Sequence, residues 1–235
     1  MTDSIISALQ AALPTEQVSV REDVLAAHAL DQGPVMAHEL PIAVVWAQSV
    51  EDVQAVMKVA YTHSVPVVCR GAGTGVSGGA HATTGCLVLS LERMDRILEV
   101  HPEDEIARVE PGVINADLNT AVAEYGLMYA PDPASYKIST IGGNVATNAG
   151  GPHAFKYGVT GAWVTGLEAV VAPGVLVRVG GPVRKDVAGY DLRSLLVGSE
   201  GTLGVITEVT LRVRPKPQSC VYEGWSFRSW AAGLA

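Results

Sequence analysis

The sequence predicts an α+β protein, and three observations carry that prediction. Residues 42 to 69 read as strand, helix, strand, the unit that makes parallel pairing in a covered sheet. Residues 164 to 179 read as two apolar runs hinged at Pro173-Gly174, a turn pair that favours an antiparallel hairpin. Two glycine-dense, almost uncharged stretches, RGAGTGVSGG at 70 to 79 and GSEGTLGVIT at 198 to 207, each lie beside an apolar strand-like run. Glycine lets backbone amides turn inward toward a bulky anion with no Cβ in the way, and successive inward amides form an anion-binding concavity. The paired loops point to a dinucleotide.

Each element follows from its local pattern. Residues 4 to 13 make a short amphipathic helix that Pro14 ends, and a weaker helical stretch covers 23 to 29. Residues 42 to 46 are a strand, after which Ser49 stands three residues before Asp52, a capping-box spacing that opens a helix. Val53, Val56, Met57 and Ala60 share one face of that helix, and 65 to 69 form the next strand. Short strands follow at 86 to 91, 97 to 101 and 106 to 110. Leu118, Ala121, Val122 and Tyr125 mark another helical face, stopped by Gly126. Residues 131 to 151 are rich in Pro, Gly, Asn and Ser and read as loop with one helical turn. The last strand, 205 to 213, ends at Pro215 and Pro217.

Composition narrows the function. Of 235 residues, 48% are apolar and 17% charged, enough for a substantial core. A net charge of −8 argues against nucleic acid or an anionic membrane surface, since either wants a basic face. Cys69, Cys86 and Cys220 form no CxxC pair and have no histidine at ligand spacing, so buried free thiols in a reducing compartment are expected, with no metal site. The first twenty residues lack a basic n-region and an unbroken apolar core, and no apolar run reaches the ~20 residues a membrane span needs. A cytoplasmic home is the expectation.

Two familiar motifs fail on context. Gly73, Gly75 and Gly78 satisfy GxGxxG, with Glu92 beyond them, but that fingerprint must open a helix, and the next strand begins too soon after GGAHATTG to leave room for one. Gly75, Ser77 and Gly79 spell GxSxG, which also needs a helix directly after the serine. His81 and His153 sit in glycine-rich loops, where an isolated histidine is more often solvated or packed than a ligand contact. Lys185, Tyr190 and Asp191 read as a local hydrogen-bond cluster slightly ahead of a ligand contact. Glu200, fixed between two glycines, can orient amides, accept from a hydroxyl, or serve the loop alone.

Seven collinear segments then carry a resemblance: RGAGTGVSGG, EPGV at 110 to 113, PDP at 131 to 133, STIGGNVATNAGG at 139 to 151, KYGVTGAWVTGLEAVV at 156 to 171, KDVAGYDL at 185 to 192 and GSEGTLGVIT. In order and spacing they are similar to the FAD-binding domain of the vanillyl-alcohol-oxidase-type (PCMH-type) flavoproteins, most of all to the branch of glycolate oxidase and D-lactate dehydrogenase. The resemblance covers about residues 38 to 217. It implies a two-subdomain PCMH-type FAD-binding fold with the diphosphate on the glycine loops. By motif match Arg70, Gly71, Ala72, Gly73, Thr74, Gly75 and Val76 wrap the diphosphate. Asp132, Ser139, Thr140, Gly142 and Gly143 line the path to the flavin, Thr147, Asn148, Ala149 and Gly150 add contacts, and Glu200, Gly201, Thr202 and Ile206 bind near the adenosine. Covalently flavinylated relatives end the loop in a histidine; Thr74 takes that place here, which implies non-covalent FAD.

The resemblance further implies oxidation of a small D-2-hydroxy acid to the 2-oxo acid, with electrons leaving to a separate acceptor. The family's substrate-binding and proton-abstracting residues lie beyond this domain, so no catalytic residue is expected here. Residues 1 to 37 read as a helical lead-in and 218 to 235 as the start of a cap domain, with Tyr222, Trp225, Phe227 and Trp230 crowded together. Such an aromatic cluster is an association liability, and a truncated chain, inactive alone, is expected. Two alternatives stand beside this reading: an alkylglycerone-phosphate-synthase-like flavoenzyme, and a flavin-binding subunit completed by a partner protein at the aromatic tail.

Overall fold

A computed structural model describes residues 2–34, 39–183, 185–219, 221 and 223–234. Cys220 and Tyr222 lie outside the described residues. The chain opens with α1 (Thr2–Ala12), β1 (Val18–Ser19) and α2 (Glu22–Ala27), then runs through β2 (Ala43–Trp46), α3 (Val50–His63), β3 (Val67–Arg70) and β4 (Leu87–Ser90). These make a four-stranded sheet in the order β1-β2-β4-β3. β2 and β3 are both parallel to β4, which lies between them. The strand-helix-strand unit expected from 42 to 69 is therefore present, but its two strands are not neighbours. A strand without polar alternation, such as LVLS, is most stable with both faces and both edges covered, and the centre of the sheet offers that.

Both faces are indeed covered. Ile5 and Leu9 of α1 and Val53, Val56 and Ala60 of α3 pack on one side against Val45, Leu87 and Leu89. Leu25 and Ala29 close the other side over Val44, Cys86 and Val88. Ser49 caps α3 as its spacing predicts, its Oγ accepting from the Asp52 N–H at 3.2 Å. Ser49→Ala is expected to cost about 1 kcal/mol in a urea unfolding titration, since it leaves a first-turn N–H without its acceptor.

The second unit contains β5 (Ile97–His101), β6 (Ile106–Val109), α4 (Asn115–Ala123), β7 (Leu127–Met128), α5 (Ile141–Ala146), α6 (Ala154–Tyr157), β8 (Val164–Val171), β9 (Val175–Gly180), α7 (Leu192–Leu196), β10 (Val205–Arg212) and β11 (Arg214–Pro215), and the short exposed α8 (Trp230–Leu234) follows them. Five strands form an antiparallel sheet in the order β5-β6-β10-β8-β9, and the expected hairpin is the β8-β9 pair. One face, with Val109, Leu167, Val209 and Leu211, packs on Leu118, Val122 and Ile141. The other carries cross-strand ion pairs: Arg108 reaches Glu208 at 2.9 Å and Glu99 at 3.0 Å, and Arg178 reaches Glu168 at 2.6 Å. This is the half-solvated pattern antiparallel sheets tolerate.

Val170 and Val205, at the ends of β8 and β10, join the core of the first sheet, and Gln54 Nε2 donates to the Gly174 carbonyl at 2.9 Å. The two units are thus packed across a shared apolar seam. Residues 131 to 151, expected as loop with one helical turn, contain the six-residue α5. Among the described residues no helix is long and apolar enough to cross a membrane. Trp225, Phe227 and Trp230 of the aromatic tail are exposed.

Candidate functional site

The segment from Gly71 to Cys86 joins β3 to β4 without any helix, which removes both the dinucleotide fingerprint and the nucleophile elbow on structural grounds. Its glycines are required by neighbours as well as by turns. A Cβ on Gly71 would lie 2.3 Å from Thr140 Oγ1, and one on Gly79 would lie 2.0 Å from Glu200 Oε2. One on Gly142 would lie 2.5 Å from the Pro111 Cβ. The missing side chains let four segments interlock: the loop after β3, the turn after β6, the N-terminus of α5, and the turn before β10. Gly73 and Gly78 also take positive φ, as do Gly198, Glu200 and Gly201 in the second glycine stretch.

These segments enclose a cavity of about 640 Å³. Of the residues expected from motif match, Arg70 to Val76, Thr140, Gly142, Gly143, Thr147 to Gly150, Glu200, Gly201 and Ile206 line it. Asp132, Ser139 and Thr202 do not. Asp132 accepts the His153 N–H at 2.9 Å through Oδ1, with His153 Nδ1 3.2 Å from its Oδ2, and Thr202 Oγ1 donates to the Ser199 carbonyl at 2.6 Å. Ser139 is buried just before α5, and its Oγ has no hydrogen-bond partner among the described residues.

The polar side chains within the cavity wall mostly serve the chain itself. Thr140 Oγ1 accepts from the Gly143 N–H at 3.2 Å and so caps α5, Thr147 Oγ1 donates to the Gly143 carbonyl at 3.0 Å, and Asn148 Oδ1 accepts from the Gly161 N–H at 2.8 Å. Arg70 is buried and its Nη1 donates to the Leu30 carbonyl at 2.9 Å, while its guanidinium fills the space below Gly73. Burial lowers its pKa, against the opposing pull of Glu92 and Asp31. Cys69, beside Gly201, has its thiol pushed up to about 12 by burial, so it is a neutral wall group rather than a nucleophile.

The backbone is free where the side chains are engaged. Among the described residues, no protein acceptor takes the N–H groups of Ala72 to Ser77. A run of unpaired amides at a cavity wall needs either water or an anion with many acceptor oxygens. The apolar Leu91 and Ile206 line the same space, suited to a ring system. A diphosphate joined to two aromatic groups therefore fits these residues, and no lysine lies on the wall to serve it instead.

Motif matching passed over several wall residues: Asp31 and Gln32 from the N-terminal segment, Pro111, and Asn144 of α5. Asp31-Gln32-Gly33 has the form of an Asx turn, and Asp31 Oδ1 does accept the Gly33 N–H at 2.7 Å. That local signal reports a turn, not its partner. Asn144 is buried, with Nδ2 lacking a partner among the described residues.

Comparison with known proteins accords with this geometry. The FAD binding domain family model matches residues 41–180. The chain is 48% identical over 180 residues to glycolate oxidase subunit GlcD of Bacillus subtilis (strain 168), covering 77% of this chain and 38% of that one. It is 42% identical over 191 residues to D-lactate dehydrogenase of Anaerostipes hadrus, covering 81% and 40%. Its fold matches an alkyldihydroxyacetonephosphate synthase structure with a TM-score of 0.81 at 23% identity, over 92% of this chain and 41% of that one. The chain thus spans about two fifths of the length of the curated relatives it matches. With the collinear motifs, the two packed sheets and the amide-lined cavity in agreement, the chain belongs to the FAD-binding domain family of PCMH-type flavoproteins.

Proposed function

We propose that this chain is the cofactor-holding part of a flavin-dependent dehydrogenase that oxidises a small D-2-hydroxy acid, of the glycolate or D-lactate type, to the 2-oxo acid. The observation that carries the cofactor half is the run of unpaired amides from Ala72 to Ser77 at the cavity wall. The substrate class rests on the relatives named for glycolate and D-lactate. Bound FAD supplies the hydride acceptor. The chain's own residues bind and orient it: the amides of Ala72 to Val76 offset diphosphate charge, Thr140 to Gly143 and Thr147 to Gly150 bound the path to the flavin, and Glu200, Gly201 and Ile206 enclose the adenosine side. Asp132, Ser139 and Thr202 support these segments from outside the cavity.

Thr74 stands where covalently flavinylated relatives carry histidine, and with no such nucleophile at that position FAD is held non-covalently. A visible spectrum of the purified chain, repeated on the supernatant after acid precipitation, tests this: flavin is expected in the supernatant, and flavin retained in the pellet would mean a covalent link. In this reading electrons pass to a separate acceptor, and the protein works in the cytoplasm. The GlcD relative is named as a subunit, which supports a partner polypeptide as well. For the substrate, a chain of the relatives' full length should lose its flavin absorbance anaerobically on adding glycolate or D-lactate. Unchanged absorbance with every 2-hydroxy acid tried would favour the synthase-like alternative.

A further inference from the structure

The N-terminal segment is built into the cofactor loop. The Gln32 N–H donates to the Gly75 carbonyl at 2.9 Å, the Ala82 N–H to the Ala29 carbonyl at 2.8 Å, and Arg70 to the Leu30 carbonyl at 2.9 Å. At the centre of these contacts is Asp31, whose side chain is 1% exposed and whose Oδ2 lies 3.4 Å from the Ala80 N. His81 Nε2 lies 2.7 Å from Asp31 Oδ1, with the imidazole only 10% exposed. That approach lacks the alignment of a hydrogen bond, so the pair acts through charge when the imidazole carries both protons. Residues 29 to 33 lie outside the 41–180 range that the family model matches.

A carboxylate in this place is of the wrong sign. Asp31 lines the same cavity as the free amides of Ala72 to Ser77, so its charge, left bare, opposes an anionic ligand. With the side chain only 1% exposed, water screens that charge little. We propose that His81 is a positioning residue for the cofactor: as an imidazolium beside Asp31 it adds to the Arg70 guanidinium in cancelling the carboxylate's field at the diphosphate loop, and it clamps residues 29 to 33 onto that loop. His81 need not touch the cofactor to set its affinity. The inference rests on the FAD reading of the cavity.

The test uses the 235-residue chain freed of flavin, with wild type, His81→Leu, Asp31→Asn and the double variant titrated with FAD, ADP and riboflavin. His81→Leu is expected to weaken FAD and ADP by about tenfold or more, because Asp31, left with Arg70 alone and shared with Glu92, repels both diphosphates, and to leave riboflavin unchanged. Asp31→Asn combined with His81→Leu is expected to bind FAD within about threefold of wild type, since the charge that needed cancelling is gone. A role in folding alone would lower the melting temperature of His81→Leu but would not produce this recovery in affinity, nor separate ADP from riboflavin. If His81→Leu does not fold, the double variant decides: near-wild-type FAD binding supports the proposal. The proposal is overturned if folded His81→Leu binds FAD within about twofold of wild type, if the double variant binds as weakly as His81→Leu, or if the double variant cannot fold. Wild-type chain that binds neither FAD nor ADP would overturn the cofactor reading itself, and this inference with it.

Discussion

Val76→Asp is expected to weaken FAD binding by about 100-fold or more while leaving the apo protein's melting temperature nearly unchanged. Val76 is 68% exposed and lines the cavity at the end of the free-amide run, so its side chain contributes little to the core. Surface substitutions of that kind usually move stability by about 0.5 kcal/mol or less. A carboxylate there would face a doubly charged diphosphate across a few ångströms of partly desolvated space, where a unit pair is worth about 2–4 kcal/mol. Val76→Asn has nearly the same shape as Val76→Asp and no charge, and should bind FAD within about threefold of wild type. Raising the salt concentration should recover part of the loss in Val76→Asp, because the repulsion is screened. Quenching of flavin fluorescence measures all three proteins, and equal affinities for the Asp and Asn variants would move the diphosphate away from this loop.

The second large effect is at Gly142, and there two opposing terms must be compared. Alanine in place of a helical glycine ordinarily stabilises by about 0.5–1 kcal/mol, through propensity and a smaller unfolded-state entropy. Gly142, however, lies inside α5 where a Cβ would stand 2.5 Å from the Pro111 Cβ and 3.0 Å from the Pro111 Cα and carbonyl oxygen. The Gly142 N–H also donates to that carbonyl at 2.8 Å, and Ile141 donates to the Val113 carbonyl at 2.8 Å, so the two segments are tied together at the contact. A proline ring and backbone cannot swing aside as a long side chain can. Overpacking of this sort costs about 1–3 kcal/mol, and it wins: Gly142→Ala is expected to lose about 2 kcal/mol in urea unfolding and to bind FAD poorly, because the displaced helix forms one cavity wall. Gly143→Ala is the control. Its Cβ would meet only Thr140 Oγ1, at 3.0 Å, and a milder loss is expected. An increase in stability for Gly142→Ala would mean that α5 is free to move away from Pro111.

The site was legible in the sequence to the extent that its chemistry is local. The glycine stretches, the cap at Ser49 and the Pro173-Gly174 turn are decided within a few residues and stand in the structure as their spacing implies, whereas α4 ends at Ala123, short of the Tyr125 and Gly126 that the pattern assigns to its face and stop. What could not be read was the use made of the polar residues beside the glycines. Thr140, Asn148 and Thr202 have the look of ligand contacts in a motif, yet their oxygens hold nearby backbone. A motif records which residues a loop needs; it does not say whether they face outward to a ligand or inward to the loop.

By itself the sequence determined the α+β class, the two glycine loops and the dinucleotide they are built for, because φ freedom, capping and apolar periodicity are properties of short stretches. The tertiary structure alone decided three other things. β4 sits between β2 and β3, because a strand buried along its whole length is best placed where both faces and both edges are covered. Asp31 reaches the cofactor loop across 49 residues to Ala80, and Gly79 meets Glu200 from the far end of the chain. Such pairings depend on which buried charge and which bare glycine surface come together on packing, and the residues near either partner in sequence do not encode that.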